Sequence, residues 1–319
     1  MARVAAIDCG TNSIRLLVAD VTIRDDGTSW LRDVHREMRV VRLGEGVDAT
    51  GLLSTAALAR TEAALADYRA ICARKGVERA RMVATSATRD AGNRADFFTM
   101  TERVLGSPAE VITGDEEARL SFAGAVGELD PSDGPFLVAD VGGGSTELVL
   151  GTWDGRKADV TAARSVDIGC VRLTERCLPS DPPTEAEIAS AVEVAGSVLA
   201  AAFAAVPVER TRTFIGVAGT VTTLSAVHKG LLTYDPDVLH LSRMTLDAIR
   251  TTTADLLAMT HRERAAIGPM HPGRVDVIGG GAIVVRTIAE ELAMRAGVTE
   301  LLVSEHDILD GIAISLATA

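Results

Sequence analysis

The sequence predicts an α/β protein made of two related halves with a cleft between them, and two observations carry that prediction. A strand, tight turn and strand at residues 136–151, reading FLVADVGGGSTELVLG, returns at residues 4–20 as VAAIDCGTNSIRLLVAD. One offset aligns Asp8 with Asp140, Gly10 with Gly142, Ser13 with Ser145 and Leu16 with Leu148, and such self-similarity is weighed before local detail. The second observation is that short apolar runs at 80–84, 109–112, 213–218 and 275–278 each feed a helical pattern, the alternation expected of sheets covered by helices. The segment GELDPSDGP at 127–135 breaks every periodic pattern, so we expect one domain over 1–126 and a second over 127–319.

The turns carry the chemistry. Lacking Cβ atoms, Gly142, Gly143 and Gly144 are free to take positive φ and to converge successive N–H groups on one anion, with Ser145 and Thr146 adding hydroxyls. Gly10, Thr11, Asn12 and Ser13 form the matching turn. Asp140 and Glu147 flank the second turn and Asp8 precedes the first; carboxylates repel phosphate but hold a Mg²⁺ that bridges to it. The plain alternative for either stretch alone is a glycine-rich hairpin with solvated acids. At one aligned position the copies differ: Arg15 stands where the other has Glu147.

Composition narrows the classes. Aromatic residues are only 3%, so the cores must be built from Ala, Val, Leu and Ile, and stacking platforms for single-stranded nucleic acid are missing. The formal net charge of −12 argues against duplex nucleic acid. It also means that an anionic substrate has to be attracted locally. Cys9, Cys72, Cys170 and Cys177 form no C-x-x-C pair and read as reduced, mostly buried thiols. His306-Asp307 is the single His-Asp step, and with no second histidine near it in sequence a metal role is not expected. No signal peptide is visible, and the most apolar stretch, 194–208, is short for a membrane span; a cytoplasmic protein is expected.

In chain order, Asp25-Asp26-Gly27 marks a hairpin turn, 34–43 a strand, and 52–75 a helix ending in Arg-Lys-Gly. Residues 80–84 deliver Thr85 to Asp90 to a strand end, where α/β folds keep ligands, and Arg89 and Asn93 lie about one helical turn apart. Asp115, Glu116 and Glu117 open the next helix. Two of the three are expected as a solvated first turn; a carboxylate held near a phosphate turn is the sharper alternative, positioned to orient or deprotonate water. Later, Thr184-x-x-Glu187 and Thr260-x-x-Glu263 read as capping boxes. GVAGTVTTL at 216–224 is a third small-residue turn opening a helix. Gly279-Gly280-Gly281 precedes a helix expected over 282–295 and is read as a close helix contact at an interdomain hinge.

Five motifs in order, DCGTNSIRLL at 8–17, ATSATRDAGN at 84–93, GDEEARL at 114–120, DVGGGSTEL at 140–148 and GVAGTVTTL at 216–224, resemble the exopolyphosphatase and guanosine pentaphosphate phosphatase family of the actin, sugar kinase and heat-shock ATPase superfamily. The resemblance covers nearly the whole chain. It implies two ribonuclease-H-like (actin-like ATPase) domains with the active site in the interdomain cleft, the last helix at 308–319 packing back on the first domain, and Mg²⁺-dependent hydrolysis of terminal phosphoryl groups. It matches Glu117 to the catalytic glutamate and Asp140, Gly142, Ser145 and Glu147 to the phosphate and metal loop; Arg89 is expected to neutralise an adjacent phosphate. Expected partners are inorganic polyphosphate, with guanosine pentaphosphate as the alternative and a homodimer as an option, and neither nucleic acid nor membrane. Longer members carry a further helical domain that is not seen here, which suggests a preference for short chains. Rival readings are a kinase of the same fold and a catalytically silent sensor.

Overall fold

The computed structural model describes residues 2–25 and 27–318. Of the expected Asp25-Asp26-Gly27 turn, Asp26 lies outside the described residues; the Gly27 N–H donates to the Arg24 carbonyl, and Gly27 is at φ 84°.

Each half is built on one sheet. The first holds β1 (Ala2–Cys9), β2 (Ser13–Ile23), β3 (Ser29–Val40), β4 (Arg79–Ala84) and β5 (Glu110–Val111), in the order β3-β2-β1-β4-β5. The second holds β6 (Phe136–Val141), β7 (Thr146–Trp153), β8 (Ala158–Val166), β9 (Thr213–Val217), β10 (Arg243–Thr245) and β11 (Glu300–Val303). It repeats that order as β8-β7-β6-β9-β11, with β10 added at the edge. In both, the first three strands are antiparallel and the next two join in parallel. The repeat extends to register. Asp8 pairs with Arg15 as Asp140 pairs with Glu147, and a β-bulge falls at Val18/Ala19 in one half and at the aligned Leu150/Gly151 in the other.

The central strands are buried on both faces, and their alternation assigns each face a layer. Ala5, Ile7 and Cys9 of β1 pack with Leu65 and Tyr68 of helix Thr55–Lys75; Val4 and Ala6 face Ile308, Ile312 and Ala313 of helix Ile308–Thr318. In β6, Leu137, Ala139 and Val141 join the large core of the second half, while Phe136 and Val138 face Ala118, Phe122 and Ala125 of helix Gly114–Val126. The helix after β5 therefore covers the second sheet, and the helix after β11 covers the first. The chain division at 126/127 separates sequence, but packing exchanges one helix in each direction.

The two exchanged helices lie against each other at paired glycines. A Cβ on Gly124 would sit 1.9 Å from the Asp307 carbonyl oxygen, and one on Gly311 would sit 2.0 Å from that of Leu120. Only glycine admits that backbone approach.

Several expectations shift at element ends. The triple glycine begins helix Ile278–Ala296 instead of preceding it, and its contact lies within the second half: a Cβ on Gly280 would meet the Cys170 carbonyl at 2.8 Å, and one on Gly281 would meet Thr220 at 2.5 Å. Both capping boxes form. The first opens helix Glu185–Ala205, which is long and apolar enough to cross a membrane by composition, so the sequence argument from length fails; in this fold Ala191, Ala195, Leu199, Ala202 and Phe203 are core.

Gly311→Ala should lower stability by about 2–3 kcal/mol, since the helices must part to admit a methyl group. Thermal and urea unfolding would check this, with Gly196→Ala, at an open helical position, as the comparison.

Candidate functional site

The two turns meet across the cleft. Each is closed by one hydrogen bond, Gly10 N–H to the Ser13 carbonyl (3.0 Å) and Gly142 N–H to the Ser145 carbonyl (3.1 Å). Those two amides are spent on the turns themselves. None of Gly142, Gly143 and Gly144 takes positive φ, contrary to the sequence expectation. Their glycine character is needed for contact: a Cβ on Gly143 would lie 3.0 Å from Thr11 Cβ, and one on Gly144 would lie 2.5 Å from Thr11 Oγ1 and 2.7 Å from Ser86 Oγ.

Around this contact is a cavity of about 90 Å³. Asp8, Gly10, Thr11, Asn12 and Ser13 line it from one half, and Asp140, Gly142, Gly143, Gly144 and Ser145 from the other. Ser145 is buried, and Asn12 reaches across to the Gly273 carbonyl at 3.3 Å. Thr146, expected to offer a hydroxyl, turns inward and donates to the Ile168 carbonyl (2.6 Å).

Of the three acids that open helix Gly114–Val126, Asp115 pairs with Arg119 and Glu116 with Arg81 at the surface; Glu117 alone enters the cavity. Thr113 caps the helix, accepting the Glu116 N–H, and Gly114 lets its first turn sit against Ser165. Arg89 Nη1 donates to Glu117 Oε2 (2.7 Å) and to the Ile112 carbonyl (3.1 Å), so Arg89 holds the glutamate and does not itself line the cavity. Asn93, paired with Arg89 by spacing, instead brackets Leu53, accepting its N–H and donating to its carbonyl.

Burial sets the electrostatics. It pushes Glu117 up to about 7 against the pull of Arg89, with Asp140 and Asp8 adding repulsion. Asp140, whose bond to Ser121 Oγ (2.7 Å) comes from one turn further along the same helix, is pushed up to about 6, burial leading and Asp307 next. Burial likewise raises Glu147, helped by Glu117 and Asp140. Glu147 sits beneath the turn bonded to Ser165 Oγ (2.7 Å) and does not line the cavity, so the loop matches Asp140 to the site directly and Glu147 only from behind. Asp8 is raised by burial, although Arg15 donates to it through Nε (3.0 Å) and Nη2 (2.7 Å); the third arm of Arg15 goes to Asp307. Buried carboxylates crowded in this way, with oxygen donors alone, fit a hard divalent cation.

Sequence reasoning missed several neighbours. Residues 168–172 follow β8, and the amides of Cys170, Val171 and Arg172 donate to the carbonyls of Gly142 and Gly143 (2.9–3.1 Å), backing the second turn from below. Ala218 holds φ 69° at the head of helix Ala218–His228 and lines the cavity, as does Cys170, whose thiol burial pushes up to about 11. Arg274, which the sequence admits on the substrate path alongside Lys229 and Arg243, lines it too. Arg274 donates to Thr223 Oγ1 (3.1 Å) and makes no ion pair among the described residues. A second cavity of about 570 Å³ adjoins the first through Arg15, Ala218, Gly219 and Arg274, and carries Tyr234, Met270 and Leu309 on its walls. His306 does have a histidine neighbour: His240, 66 residues earlier, stacks on it at 4.6 Å. Because His240 Nδ1 accepts the Glu305 N–H (3.2 Å), its Nε2 carries the proton shared with Glu128 (3.0 Å), which makes a hydrogen-bonded clasp at the crossover between halves and engages both ring nitrogens of His240.

Twin sheets of identical strand order, with paired phosphate-type turns and a buried glutamate in the cleft, define a two-lobed actin-like ATPase fold built to handle phosphoryl groups. The model of the Ppx/GppA phosphatase family matches residues 21–316, and the chain belongs to that family. Over 99% of both chains it is 56% identical to Exopolyphosphatase 2 of Mycobacterium tuberculosis. A crystal structure of an exopolyphosphatase-like protein superposes with a TM-score of 0.92 at 42% identity over 99% of both chains. The guanosine-5'-triphosphate,3'-diphosphate pyrophosphatase of Aeromonas salmonicida is 30% identical over 95% of this chain and 60% of its own. Phosphatases of the family are metal-dependent as a class.

The raised carboxylates fix a pH trend in the metal-free protein. Glu117 and Asp140 bind protons more tightly folded than unfolded, so between about pH 5 and pH 8 stability should fall as pH rises. Melting temperatures across that window should show the slope, and Glu117→Gln should flatten it.

Proposed function

We propose that this chain is an exopolyphosphatase that uses Mg²⁺ to release the terminal phosphate of inorganic polyphosphate. The observation that carries the reading is Glu117, a buried carboxylate at the mouth of two facing turns, in a chain 56% identical from end to end to Exopolyphosphatase 2. The Thr11 to Ser13 and Gly143 to Ser145 turns grip the terminal phosphates. Glu117, held by Arg89, orients a water for in-line attack and takes its proton; the new P–O bond forms as the bond to the shortened chain breaks. A base poised near 7 is suited to that task at neutral pH. Mg²⁺ would be held by Asp140 with Asp8, supported from beneath by Glu147, and would supply charge neutralisation to the phosphates.

The second cavity favours a second reading. Its apolar walls have room for a nucleoside beside the phosphate site, which suits guanosine pentaphosphate, the kind of substrate named for the Aeromonas relative. Parallel phosphate-release assays on polyphosphate and guanosine pentaphosphate, with and without Mg²⁺, separate the two; higher kcat/KM on polyphosphate is expected.

Glu117→Gln should lower kcat by about 10²-fold or more with KM largely kept, and the acid limb near pH 7 in the parent's rate profile should vanish with it. Near-normal turnover of this variant would remove Glu117 from the mechanism.

A further inference from the structure

Helix Cys170–Cys177 presents Arg172, Glu175 and Arg176 along one face toward the other half. Arg172 makes contacts in both directions. Its Nε donates to the Gly144 carbonyl (2.8 Å) in the second phosphate turn. Its Nη1 donates to Asp48 (2.7 Å) and its Nη2 to Asp90, both in the first half, with Ser86 Oγ at 3.4 Å. Arg176 adds two bonds to Asp48 (2.5 and 2.6 Å), and Glu175 accepts the Gly46 N–H (3.3 Å). Arg172 is only 12% exposed while its partners Asp48 and Asp90 reach solvent at 21% and 35%, so a mostly covered planar fork meets acids at the rim of the cleft, a geometrically demanding arrangement. Asp90 ends the short helix that also carries Arg89, the partner of Glu117. One guanidinium thus touches the second turn and the helix that holds the proposed base. Asp90 has no bond to any other residue among the described contacts.

We propose that Arg172 is a positioning residue which latches the two halves shut and sets the second phosphate turn in register with the Arg89–Glu117 pair. The latch favours the closed arrangement before substrate arrives. A site that must close to bind loses apparent affinity in proportion to the time it spends open, so the latch acts on KM, and substrate phosphates bridging both turns restore closure at saturation. The effect on turnover rests on the phosphatase reading; the effect on closure does not.

Two variants test it from opposite sides of the cleft, Arg172→Met and Asp90→Asn. In substrate-free protein, fluorescence energy transfer between labels on the two halves should report a shift to larger separation in both variants. Added salt should open the parent more than it opens Arg172→Met, in which the Arg176–Asp48 pair across the halves is still left to screen. With polyphosphate and Mg²⁺, KM should rise about tenfold and kcat should stay within about twofold, the split expected when binding common to ground and transition states is lost. Arg172→Lys should recover part of the KM change. Unchanged separation in both variants, or a fall in kcat at unchanged KM, overturns the proposal. If polyphosphate is not turned over at all, the separation measurement still decides the latch, and the phosphatase reading fails separately.

Discussion

The close crossing of helices Gly114–Val126 and Ile308–Thr318 is the constraint on which the remaining geometry depends. Each helix follows the fifth strand of its own sheet but fills the open face of the other sheet, and the glycine pair Gly124 and Gly311 sets how near they come. Exchange has a chemical consequence. It carries Glu117 and Ser121 from the first half to Asp140 in the second, and carries Asp307, at the head of the last helix, back to Arg15 and Asp8 in the first. A helix that stayed with its own sheet would leave each turn without the side chain that now completes it.

The duplicated frame then diverges where chemistry requires it. Arg15 and Glu147 occupy equivalent register positions beside equivalent aspartates. Arg15 bonds to both Asp8 and Asp307, so the first turn holds a cation among its acids and offsets one of their two charges. Glu147 adds a carboxylate to Asp140 and Glu117, so the second turn carries a surplus of buried negative charge that hydroxyls of Ser121 and Ser165 solvate only in part. That asymmetry is why the metal expectation falls on the second turn, and why a protein of net charge −12 can still present a local site for an anion: the attraction is made by a cation and fixed donors at short range.

Much of this was legible in the sequence, for identifiable reasons. The single offset relating the two turns fixes strand order and register together, because a slip of one residue would turn every side chain to the wrong face. Even the paired bulges follow that offset. Among the three acids that open the helix, local pattern made no choice, and only the family resemblance singled out Glu117. What stayed hidden depends on contacts far apart in the chain. Nothing local to Gly311 shows that it abuts Leu120, nothing near His306 shows that His240 stacks on it, and Arg172 in an amphipathic helix looks like any exposed arginine. The glycine triplet 142–144 was read for backbone freedom when its demand is for clearance against Thr11 and Ser86, two requirements that the same residue satisfies.

Clearance also bears on which bond of a chain would be cut. With Gly143 and Gly144 against the facing turn, the cavity that Glu117 lines holds only about 90 Å³, and the larger space adjoins it on the side of Arg15 and Arg274. A phosphate chain extending in both directions from Glu117 would need the turns to separate. A chain that ends there does not, since its remainder lies toward the side where cations stand. Under the proposed reading, preference for a terminal phosphoryl group is a property of the contact between two glycines and a threonine, and it holds only while the halves are closed.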